Sequence, residues 1–207
     1  MSVLLEGENG VGKTALAAKI GIDSGFPFVK MISPENFVGY TEFAKVQAIA
    51  QVFEDAYKSP LSLIVLDDIE RLLEFVHIGP RFSNAVLQSL LVLIKKKPPN
   101  AERKLLIIGT TSMRGILQDL EMLSGFNTTL SLPNVHTATE LSTILSNFNC
   151  SAQEVSNIGG DFENRYSASG IPIKMLLLAV ELAIERDESG ALTHENFMDC
   201  LYSVKGR

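Results

Sequence analysis

Cysteine is scarce in this sequence: Cys150 and Cys200 are the only two. Two are too few for a disulfide framework and are not spaced as metal ligands, so both read as ordinary small buried residues. No apolar stretch reaches the roughly 18 residues that cross a bilayer. Positive charge is in deficit. The 18 Lys and Arg face 24 Asp and Glu, a net charge of −6, which argues against a general nucleic-acid or anionic-membrane binder. Met1-Ser2-Val3 opens no charged-then-apolar leader, and the expectation is a cytosolic, soluble chain. Internal repeats, low-complexity tracts and long linkers are all missing. His77, His136 and His194 are isolated and form no metal or catalytic set.

What remains is an ordinary globular composition, 46% hydrophobic and 20% charged over 207 residues. At that length roughly 70% of the unfolded surface can be buried. Short apolar runs alternate with helical periods, the pattern of an α/β parallel sheet. Val3–Leu5, Phe28–Ile32, Leu63–Leu66, Leu105–Ile108 and Thr128–Leu132 read as strands. Thr14–Ile20 reads as a helix, as does Ser83–Lys95 before Pro98-Pro99. From Thr41, apolar Phe43, Val46, Ile49, Phe53 and Tyr57 recur at helical steps. After Leu132-Pro133-Asn134 the character changes. Thr137–Glu140 and Ser151–Glu154 both fit a capping box, a further helix begins near Pro172, and Thr193 caps a last one. The division expected is an α/β part over 1–134 and an all-helical part over 135–207.

Gly7-Glu8-Asn9-Gly10-Val11-Gly12-Lys13-Thr14 matches Gly-x-x-x-x-Gly-Lys-Thr between a strand and a helix. Chance would produce it in about 1% of chains this long at average residue frequencies. The chemistry needs these types. Glycines let successive backbone amides face one anion without side chains in the way. The helix N-terminus adds partial positive charge. Lys13 would reach the β- and γ-phosphates of a nucleotide, and the Thr14 hydroxyl would ligate magnesium. Glu8 is out of place, because a carboxylate beside bound phosphate repels it unless it turns outward. Asp67-Asp68, at the end of an apolar strand, supplies the second half. Magnesium keeps much of its water, and Asp67 is the carboxylate placed to hold it.

The order of phosphate loop, Asp-Asp strand and helical tail resembles an AAA+ ATPase, a phosphate-loop NTPase sheet flanked by helices with a small helical lid. The likeness is closer than class level. Gly12–Ala18, Asp55–Ser59, Asp67–Leu72, Ile78–Asn84 and Leu106–Ser112 are similar to the second ATPase domain of the N-ethylmaleimide-sensitive factor family of vesicle-fusing ATPases. The resemblance implies a homo-hexamer that, on ATP and Mg2+, takes SNARE complexes apart through an adaptor held by domains outside this sequence. It implies a cytoplasmic location with peripheral association to Golgi and transport-vesicle membranes. It also implies that this ring binds ATP, hydrolyses it weakly and holds the hexamer together. The alternative is a competent motor threading substrate past Phe37-Val38-Gly39, which sits where such domains place a pore loop. A small metabolite kinase would want an arginine-rich lid, and the helical tail is not one.

Residue by residue, the resemblance assigns nucleotide contacts to Gly7, Glu8, Asn9, Gly10, Val11, Gly12, Lys13, Thr14 and Ala15. Asp68 falls where many such ATPases carry a glutamate that polarises the attacking water. Ser112 falls at the sensor after the fourth strand, where active domains prefer asparagine. Lys174 matches the basic sensor of the helical part, and Lys95 and Lys104 match lysines that reach a neighbouring protomer's nucleotide. Arg114 lies too early to serve as an arginine finger. Only Met1–Glu6 precede the phosphate loop, so the adenine-contacting residues of the family are expected upstream, and the chain is expected to be an excised domain or an incomplete one.

Overall fold

The computed structural model describes residues 1–79, 81–187 and 190–206; Pro80, inside the Ile78–Asn84 stretch, lies outside them. Five parallel strands form one sheet: β1 (Ser2–Glu6), β2 (Phe28–Ile32), β3 (Leu61–Leu66), β4 (Lys104–Thr111) and β5 (Thr128–Ser131), in the spatial order β2-β3-β4-β1-β5. Register is set by pairs such as Leu4 with Gly109 and Ile64 with Ile107. Strand β3 is buried from Ser62 to Leu66 because both faces are covered. Ile64 and Leu66 face a core shared with α2 (Glu42–Ala56) and α4 (Asn84–Lys95), through Ile49, Phe53, Val86 and Leu90. Leu63 and Val65 face the other side, with Ala17 of α1 (Lys13–Asp23). The period-2 alternation of a strand thus feeds two cores from one apolar run.

Hydroxyl side chains set the helix starts. Thr41 accepts from the amide of Ala44 at the head of α2, and Ser83 from that of Val86 at α4. Two short helices were not legible as periodicity: α3 (Ile69–Leu72) after β3 and α5 (Arg114–Asp119) after β4. Short 3-10 turns occupy Pro34–Phe37 and Met122–Gly125.

The chain divides into two compact units. One is Met1–Gly7 with Lys13–Leu132; the other is Glu8–Gly12 with Pro133–Arg207. The second unit is helical: α6 (Ala138–Leu145), α7 (Ala152–Tyr166), α8 (Ile173–Arg186) and α9 (His194–Lys205). Leu141, Ile158, Phe162, Leu176, Val180, Phe197 and Leu201 form its core. Thr137 and Glu140 make the full capping box at α6. At α7 only half of one forms: Ser151 accepts from the Glu154 amide, while the Glu154 carboxylate accepts instead from the His194 backbone at 2.6 Å. Glu154 therefore ties the start of α7 to the start of α9. Cys200 is buried in this core as expected, whereas Cys150 is only half-buried.

Candidate functional site

The carboxyl ends of three adjacent strands meet at one edge of the sheet, since β4 lies between β1 and β3. This edge is where open parallel sheets bind ligands. Strand β1 leads into the glycine-rich loop, β3 ends at Asp67-Asp68, and β4 ends at Thr111-Ser112. In the α/β unit Lys13 opens α1 and is 7% exposed. Its Nζ donates to the Gly7 carbonyl and to Ser112 Oγ, both at 2.9 Å. Thr14 Oγ1 donates to Asp67 Oδ1 at 2.8 Å, and the same oxygen accepts from Thr110 Oγ1 at 2.8 Å. Asp67 is itself buried. The amide of Asp68 donates to Thr110 Oγ1 at 2.8 Å, so one threonine fixes both aspartates.

Asp68 is held in the left-handed region, φ 55° and ψ 58°, a conformation aspartate tolerates better than most residues. Its carboxylate pairs with Arg71 Nε at 3.3 Å. Burial, and then the neighbouring charge of Glu70, pushes the Asp68 carboxyl above its ordinary proton affinity, against the pull of Arg71. Burial lowers the Lys13 ammonium from its usual value, while Glu70, Asp68 and Asp67 oppose the loss of its proton.

Residues Glu8–Gly12 belong to the helical unit. Gly10 and Gly12 take φ of 87° and 95°, open to glycine and strained for other residues. The Gly10 carbonyl accepts from the Lys174 amide at 3.0 Å. A Cβ on Gly10 would lie 3.2 Å from Lys174 Cβ and 3.4 Å from Pro172 Cβ. Lys174, second residue of α8, is therefore set against the tip of the loop. The exposed Glu8 carboxylate accepts from Asn134 Nδ2 at 3.0 Å. Asn9 and Ala15 are exposed and Val11 is buried.

Other residues singled out in the sequence lie elsewhere. Lys104 begins β4 and Ser112 follows its end, so eight steps of about 3.3 Å, roughly 26 Å, separate them along the strand. Lys95 ends α4, with Nζ donating to Ser124 Oγ at 3.3 Å. Neither lysine is brought to Lys13 of its own chain. Arg114 is engaged by Glu6 at 2.6 Å. Phe37 packs against the core beneath Lys45 Nζ, 5.7 Å from the ring, whereas Val38 is 82% exposed.

Sequence reasoning passed over Glu70, Thr110 and Thr111. Glu70 is 4% exposed and takes two hydrogen bonds from the end of β4. The signal available was an acidic residue between apolar Ile69 and Leu72, one turn after two aspartates. Among the described residues no group of three or more His, Cys, Asp or Glu is placed to hold a metal ion. One carboxylate and one hydroxyl, Asp67 and Thr14, suit magnesium, which takes few protein ligands alongside water and phosphate oxygens. Within the α/β unit, a buried ammonium and this hydroxyl–carboxylate pair suit a polyphosphate carrying a divalent cation. No helix among the described residues is long and apolar enough to cross a membrane.

Comparison with known proteins agrees with this chemistry. Residues 3–134 match the family described as "ATPase family associated with various cellular activities (AAA)". The chain is 47% identical over 201 residues to a vesicle-fusing ATPase of Dictyostelium discoideum, covering 97% of this chain and 26% of that protein. It is 42% identical to a vesicle-fusing ATPase of Arabidopsis thaliana, covering 97% and 28%. It is 46% identical to the vesicular-fusion protein sec18 of Schizosaccharomyces pombe, covering 88% and 24%. The chain thus spans about a quarter of the length of these relatives.

Proposed function

The chain belongs to the AAA family, the ATPases associated with various cellular activities, and from that membership we propose that it is the ATP-binding assembly domain of a vesicle-fusion ATPase. In this reading a nucleotide-binding part, residues 1–134, and a helical lid, 135–207, take up ATP with magnesium. The domain supports a homo-hexamer that disassembles SNARE complexes through an adaptor. The adaptor is bound by parts of the relatives beyond the quarter matched here. The working location is the cytoplasm, at the surface of Golgi and transport-vesicle membranes.

The single observation that carries the reading is the pair of contacts at the loop, Lys13 with Ser112 and Thr14 with Asp67. Lys13 binds and orients the β- and γ-phosphates, and the amides of the loop share that charge. Thr14 and Asp67 would hold magnesium, which would supply charge to neutralise the phosphates. Asp68 orients the attacking water, Ser112 marks the γ-phosphate side, and Lys174 serves as the basic sensor of the helical part. Lys95 and Lys104, on the far strand edge, serve a neighbouring copy's nucleotide. Slow turnover is favoured by the short Asp68, by serine at the sensor and by an Arg114 already engaged with Glu6. The exposed Val38 favours the second reading, a substrate-threading motor.

Calorimetry of Mg·ATP binding tests the site. Lys13→Ala is expected to weaken binding about 100-fold or more, the loss of a buried charged donor, with the fold intact by circular dichroism. Unchanged affinity in a folded variant would remove the phosphate-site reading.

A further inference from the structure

We propose that Glu70 is a positioning residue for ATP hydrolysis: its buried carboxylate fixes Ser112 at the end of β4, the residue whose hydroxyl accepts from Lys13. This deepens, and rests on, the reading of the loop as an ATP site. Both carboxylate oxygens are committed. Oε1 accepts from the Ser112 amide and Oε2 from Thr111 Oγ1, each at 2.8 Å. Thr111 Oγ1 in turn accepts from the Met113 amide at 3.0 Å. The strand end is thereby pinned at the residue whose hydroxyl accepts from Lys13 Nζ. Glu70 therefore acts on the phosphate-binding lysine through Ser112.

The fold presses Glu70 into that position. Its neighbour Ile69 is fully buried, and a Cβ on Gly109 of β4 would sit 2.8 Å from Ile69 Cδ1 and 2.7 Å from Phe126 Cζ. Glycine at 109 leaves room for the Ile69 and Phe126 side chains against the strand. Left-handed φ at Asp68 and at Glu74, 55° and 56°, brackets the helix. Such strain persists only where surrounding contacts over-determine it. The Phe75 amide returns to the Glu70 carbonyl at 2.9 Å, fixing the backbone of the same residue.

Two variants separate geometry from charge. Glutamine can accept from the Ser112 amide and donate to Thr111 Oγ1, so Glu70→Gln keeps the pinning and removes the charge; Glu70→Ala removes both. Glu70→Ala is expected to slow single-turnover ATP hydrolysis about 100-fold, the effect of a misplacement near 1 Å, while calorimetric ATP affinity falls less than tenfold. Glu70→Gln is expected to recover most of that rate. Wild-type rates in both variants, or a Glu70→Gln variant as slow as Glu70→Ala, would overturn the role of Glu70. Absence of ATP binding by the wild-type chain would overturn the nucleotide-site reading and the hydrolytic part of this role with it.

Discussion

Asp68 concentrates the chemistry of the site in one residue. Sequence placed it where a glutamate would polarise water. The structure adds that its backbone is left-handed, its amide is held by Thr110 and its carboxyl resists ionisation. Because the folded form holds this proton more tightly than the unfolded one, the native state binds more protons in the window just above the ordinary value of 3.8. Stability from this group is complete below that value and is lost as pH rises through the raised one. Asp68→Asn is therefore expected to melt higher than wild type at pH 7, with the difference closing towards pH 3; thermal melts across that range check it. A constant difference would show that burial and Glu70 are not the cause. Asp68→Glu tests the other half. Aspartate stops about 1.5 Å short of where glutamate would reach, one carbon–carbon bond, a displacement that costs about 100-fold in rate. Faster single-turnover hydrolysis at unchanged ATP affinity is expected from Asp68→Glu, limited by Ser112 and by glutamate's poorer fit to a left-handed backbone. Slower hydrolysis would make Asp68 a working catalytic residue and favour the motor.

Elements with a long pattern were legible. Phe28–Ile32 is a strand at the bounds its sequence gives, and Thr41, Thr137 and Thr193 cap helices because a hydroxyl before an apolar period has a backbone amide to meet. The phosphate loop was legible because its glycines answer a local backbone requirement. Helix α3 was not, since its four residues are too few to show a period, and it exists because Ile69 and Leu72 are buried beside β4. Glu70 was missed with it, as its partners Thr111 and Ser112 are some 41 residues away in sequence. Gly109→Ala is the test at this scale. The added methyl would meet Phe126 and Ile69 at under 3 Å, an overpacking expected to cost roughly 1–3 kcal/mol. Chemical denaturation should show that loss together with slower hydrolysis, because α3 carries Glu70. A variant as stable as wild type would mean that helix and strand are not in close contact.

For the molecule as a whole, Lys95 and Lys104 of the α/β unit stand away from the carboxylates of the site. The carboxylates Asp67, Asp68 and Glu70 lie at the carboxyl edge of the sheet, while Lys104 opens β4 at the other edge and Lys95 sits beside Ser124. If Lys95 serves a neighbouring copy's nucleotide, as proposed, it would couple nucleotide state to assembly. ATP, as a ligand of the native state, should also raise the melting temperature, by an amount equivalent to about 2.7 kcal/mol at 100 times its dissociation constant. Lys95→Ala should weaken assembly in ATP without altering ATP affinity, which calorimetry and sedimentation together would show. The most direct test of nucleotide-driven assembly is sedimentation velocity of the wild-type chain with Mg·ATP, with Mg·ADP and without nucleotide. The expected result is a shift towards a hexamer in ATP, weaker in ADP and weakest with neither; identical sedimentation in all three would contradict an assembly role for this domain.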